Sequence, residues 1–92
     1  MNAEQLYAAA EKLDRVAAER EQWARNATKQ SDRDLFGQVA QQFRDRAAQT
    51  RSWANNAAHY AQQGQAVPAG VTQQIEQAVR EFLRMAGSVD GA

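Results

Sequence analysis

Arg20 and Arg46 have the strongest claim to chemistry in this chain, because the residues around them recur at helical spacing and place both on an apolar stripe. A guanidinium is charged at any ordinary pH and carries five donors in a planar fork, so a dry one needs a carboxylate, a phosphate or another acceptor. Binding an anion that belongs to a partner is one reading. The plainer one is that both stems lie over the stripe while the heads reach water, Glu19 or Asp45. Arg51 and Arg44 extend the basic set on the same segment, with Arg15 and Arg25 on the preceding one.

The aromatic residues are the other candidates, since tryptophan and arginine dominate binding energy at protein interfaces. Trp23 and Trp53 sit at core spacing, which predicts burial; an exposed one would instead become an anchor for a partner. Tyr7 and Tyr60 are expected at the rim of the core. Arg20, Arg46, Arg51, Trp23, Trp53 and Tyr60 therefore form the candidate partner-binding set.

Other chemistry finds little footing. His59 is the single histidine, and the inward-facing Glu-x-x-His pairs of a bundle metal site are absent from the sequence. The chain has no cysteine, no glycine-rich phosphate loop and no serine in a nucleophile-elbow context. Glu19 with Glu21 and Asp32 with Asp34 are two apart, so on a helix they point in different directions. No catalytic, metal or cofactor-binding residue is assigned, and the expectation is that the protein is not an enzyme.

These side chains must be positioned by helices. Trp23-Ala24-Arg25-Asn26-Ala27 returns thirty residues later as Trp53-Ala54-Asn55-Asn56-Ala57, and the same offset matches Leu6 with Phe36 and Leu13 with Phe43. One structural unit used twice is the expectation. With Leu6 at heptad position a, the a and d sites are Leu6, Ala9, Leu13, Val16, Arg20, Trp23 and Ala27, then Phe36, Val39, Phe43, Arg46, Thr50, Trp53, Ala57 and Tyr60. This 3-4 spacing predicts two long amphipathic helices, about 3–29 and 32–63, paired as an antiparallel hairpin of coiled-coil type.

Alanine fills the e sites: Ala3, Ala10, Ala17 and Ala24, then Ala40, Ala47, Ala54 and Ala61. The g sites Lys12, Glu19, Asn26, Gln42, Gln49 and Asn56 are polar. This predicts a wet flank and an alanine flank on which a third helix can rest. A turn near Gln30 to Arg33 would set Leu13 opposite Trp53, Trp23 opposite Phe43 and Arg20 opposite Arg46. Asn2 can cap the first helix and Ser31 the second. Residues 64–71 hold the only proline between two glycines and read as a loop. A third helix is expected over about 72–86, with Thr72 as its cap, Ile75, Val79, Phe82 and Ala86 as its stripe, Gly87 as its stop and 87–92 frayed.

Ninety-two residues make one small domain, near the size at which oligomerisation often supplements the core. Eleven basic and eleven acidic residues cancel, so no overall field draws nucleic acid or an anionic membrane. A short basic recognition helix is absent, which argues further against nucleic acid. No apolar run reaches membrane-span length and residues 1–20 lack a signal-peptide core, so the default address is cytoplasmic. Arginine, alanine and glutamine usage suits a bacterial or phage gene. Size and a two-helix layout are similar to the WXG100 secreted helical hairpins, but no Trp-x-Gly turn links these helices, and the chain is not assigned to that family.

The expectation is an all-α single domain: a long helical hairpin plus a shorter third helix, dimerising into a larger bundle. Its leading function is a non-catalytic protein-interaction module, such as an inhibitor or adaptor docking on a host protein. The alternative is an anion- or nucleic-acid-binding regulator built on the arginines.

Overall fold

A computed structural model of the chain describes the backbone of residues 1–91 and the side chains of residues 1–87. It contains three helices: α1 (Ala3–Asn26), α2 (Gln30–Gln62) and α3 (Ala69–Gly91). The Cα atoms span 53 × 21 × 14 Å with a radius of gyration of 15.3 Å. A compact domain of this length would measure about 12 Å, so the molecule is a short rod.

Local chemistry starts and stops each helix. The Asn2 side chain accepts from the Gln5 amide at 2.8 Å while the Gln5 side chain accepts from the Asn2 amide at 2.9 Å, a complete capping box. α1 ends at Asn26, and Arg33 Nε donates to the carbonyl of Ala27 at 2.8 Å, satisfying an acceptor beyond the last turn. Ser31 is not the cap of α2. That helix starts at Gln30, after an extended Lys29, so the connection is only Ala27–Lys29.

α2 closes in a Schellman motif. Gly64 adopts φ +69°, its amide donates to the Ala61 carbonyl at 3.1 Å, and the Gln65 amide donates to the Tyr60 carbonyl at 2.9 Å. The loop is also shorter than expected, because α3 begins at Ala69, directly after Pro68, whose fixed φ suits a helix start. The Thr72 amide donates to the Pro68 carbonyl at 3.0 Å, which puts Thr72 inside the first turn and rules it out as the cap. At the other end α3 continues through Gly87 to Gly91. A helical glycine costs about 1 kcal/mol, and Gly87 does not make the left-handed turn that stops α2 at Gly64. Of the expected frayed tail, Ala92 lies outside the described residues.

α1 and α2 pack far more tightly than either packs on α3: their Cα atoms approach within 8 Å at many positions, and those of α3 at few. Alanine allows this. Ala10, Ala17, Ala47 and Ala54 are fully buried and Ala40 nearly so. On one side of these alanines runs a polar row that crosses between the helices and shows them to be antiparallel. The Tyr7 hydroxyl donates to Asn55, Arg51 reaches Asp14 at 2.6 Å, and Arg44 reaches Asp14 at 3.2 Å and Glu21 at 2.6 Å.

On the other side the larger a and d side chains meet α3. Leu6, Ala9 and Ala54 form a cluster with Val79, flanked by Ile75 and Trp53. Leu13, Val16, Ala17, Phe43 and Ala47 form a second with Ala86, flanked by Phe82 and Leu83. The alanine flank is thus corrected. Its alanines mainly line the contact between α1 and α2, and α3 covers the stripe that the heptad assigned to that contact; Ala61, at the end of the row, is exposed. The g sites are all exposed, as expected.

Candidate functional site

The early start of α2 changes what faces what. Trp23, expected opposite Phe43, packs in a T-shaped pair with Phe36, with centroids 5.6 Å apart and planes at 80°. Arg20 lies over a face of the indole, its guanidinium carbon 3.9 Å from the Trp23 ring centroid. Arg20 is fully buried and donates through Nη1 to Glu19 Oε1 at 3.0 Å. A buried guanidinium cannot shed its charge, and the neighbouring carboxylate and the negative face of the indole are among the groups that stand in for water.

Arg20 and Arg46, expected opposite one another, stand over different rings. Arg46 stands over two other rings, 5.6 Å from Phe43 and 5.7 Å from Phe82, and is half-buried. Asp45, once a candidate partner, instead accepts from Gln41 at 2.9 Å. Arg51 is held by Asp14 in the polar row. Beside it the Arg44 pKa is raised above its ordinary value, chiefly by the hydrogen bond to Glu21, with Asp14 adding to the effect. Glu21 reaches Arg44 across the helices.

Burial of both tryptophans was expected, and Trp23 departs from it at 38% exposure. It lies near the α1–α2 connection; Leu35, in the first turns of α2, is 55% exposed. Trp53 is half-buried and stacks on Phe82, with centroids 6.2 Å apart and planes at 5°. Tyr7 and Tyr60 are each 37% exposed, at the rim as expected.

The six candidate residues thus separate into distinct places. Trp23 and Arg20 are together near the connection, Arg51 is in the polar row, and Arg46 stands over the Phe43 and Phe82 rings. Trp53 and Tyr60 line an apolar cleft at the open end of the rod. Leu35, the most exposed large apolar residue, and the polar row itself were missed in the sequence. A signal for the row was present: Tyr7, Asp14 and Glu21 recur every seven residues, as do Arg44 and Arg51, with opposite charges on the two helices.

Among the described residues, no three His, Cys, Asp or Glu side chains gather to hold a metal ion, and no helix is long and apolar enough to cross a membrane. Comparison with protein families, curated proteins and solved structures finds no match.

Proposed function

We propose that this small all-helical domain is a non-catalytic protein-interaction module that docks through the end of the rod at the α1–α2 connection. The observation that carries the reading is Trp23. Its ring packs against Phe36 and Arg20 yet is more than a third exposed, and Leu35, in the first turns of α2, is exposed as well. A large ring locked in place before binding loses little entropy when a partner covers it, which is what makes tryptophan an effective anchor. The partner is another protein or a second copy of the chain. An inhibitor or adaptor acting in the cytoplasm of a bacterial or phage-infected cell fits this description, and a duplicated helical unit is its proposed origin.

The arginine-based alternative draws less support. Arg51 is engaged by Asp14, Arg20 is stacked on Trp23 beside Glu19, and Arg46 lies over two phenyl rings.

Light scattering over a range of concentrations, on wild type and on a Trp23→Ala, Leu35→Ser double variant, tests self-association. The same pair used as bait in host extract tests for a separate partner. Loss of association or capture in a variant with unchanged helicity supports the reading; identical behaviour of the two proteins removes it. Binding abolished by charge reversal at Arg46, and falling steeply with salt, would favour the alternative.

A further inference from the structure

The open end of the rod holds a second unfilled apolar feature, built from all three helices. Leu6 of α1, Trp53 of α2, and Val71 and Ile75 of α3 wall a cleft of about 240 Å³, and Pro68 closes it on the loop side. Its origin is local. The Schellman turn at Gly64 and the non-helical stretch to Pro68 carry the chain away from α2 before α3 begins, so the first turn of α3 stands off from the last turns of α2.

Size and lining define what the cleft suits. Protein interiors leave few voids larger than a water molecule. An apolar cavity of about 150 Å³ holds a benzene, whereas pockets for drug-sized ligands start at about 300 Å³. Water lying against the apolar walls of Leu6, Trp53, Val71 and Ile75 finds few of the two to four polar partners it needs. No lining side chain is charged, and the one charged group on a lining residue, the Met1 α-ammonium, is already paired with Glu76, so an ionised occupant would lose its hydration with little compensation. Asn56, Tyr60 and Thr72 add a small number of hydrogen-bonding groups. Val71, 45% exposed, and Tyr60 leave apolar surface at the rim that an occupant would cover.

We propose that this cleft is a binding site for one neutral aromatic ring of phenol to indole size, bearing a single hydrogen-bonding group and lying against Trp53. The ring belongs to a free small molecule, because the cleft has room for little more than the ring itself. The site is separate from the docking end, and its failure would leave the Trp23 reading intact.

The test is a titration of the full chain with p-cresol, indole and N-acetyl-tryptophan amide, followed by heteronuclear NMR. Saturable shifts are expected at the Trp53 indole, Thr72 and Ile75, with the Trp23 indole unmoved. Tighter binding of indole than of the amide is expected; tighter binding of the amide would identify a protein side chain as the occupant and overturn the assignment to a free molecule. Val71→Trp, which fills the cleft with a ring of its own, should weaken indole at least tenfold and raise the melting temperature. Should that variant not fold, Ala57→Leu narrows the same space and should weaken indole likewise. No saturable shift at Trp53 up to the solubility limit, equal shifts at both tryptophans, or unchanged affinity in the folded filling variant overturns the proposal.

Discussion

Trp23 and Trp53 occupy the same position in two copies of one sequence pattern, yet the fold treats them differently. Trp53 is stacked face to face on Phe82 of α3 and half-buried. Trp23 has a guanidinium on one face, a phenyl edge at its side and substantial exposure to water. The flanking motif is nearly identical, so the difference comes from the third helix. An apolar repeat specifies that a side chain can be buried, while burial itself depends on what the rest of the chain brings over it.

The largest expected effect comes from removing the covered ring. Trp53→Ala should destabilise the protein by about 2–3 kcal/mol, at or below the low end for aromatic truncation because the ring is half-buried. Each kcal/mol should lower Tm by about 4–8 °C in a domain of this size. Trp23→Ala should cost less than about 1 kcal/mol, and equal losses in urea or thermal melts would erase the distinction.

A substitution midway along the rod asks whether the two ends melt as one unit. Ala17→Leu adds three carbons where Ala17 is fully buried, and should cost about 1–3 kcal/mol by forcing α1 and α2 apart. Single-tryptophan variants should then report one shared, lowered transition by fluorescence; two separate transitions would show the ends to be independent.

A smaller loss is expected from Asp14→Asn, which removes the carboxylate charge shared by Arg44 and Arg51. These side chains are partly exposed, so the cost should be about 0.5–1 kcal/mol and should shrink in high salt. The smallest effect belongs to Leu35→Ser at the uncovered end, within about 0.5 kcal/mol in chemical denaturation. A larger change would mean that Leu35 is supporting the fold.

The helices were readable because their signals are local. Heptad spacing, the Asn2 and Gln5 pair, and the Gly-to-Pro stretch each act over a few residues. The contact geometry was not. The connection is only Ala27–Lys29, with Arg33 reaching back to the Ala27 carbonyl, and near it Trp23 pairs with Phe36 where the heptad register had set Phe43. The heptad frame also supplied two candidate lines of contact for α1, one through a and d and one through the alanines. Backbone proximity favours the smaller side chains for the first neighbour, leaving Leu13, Phe43 and Trp53 to a second neighbour with bulkier residues. Among the candidate site residues, membership in the set could be read from residue type. Their separation into different places could not, because it depends on this choice of line.

The alanines recur every seven residues on both helices, so a shift of one heptad would bring alanine against alanine again. Such a smooth track cannot say where along it the helices should stop. That information must lie in the three residues joining them and in the charges beside the track, so lengthening the joint is the simplest way to let this rod slide into another alignment.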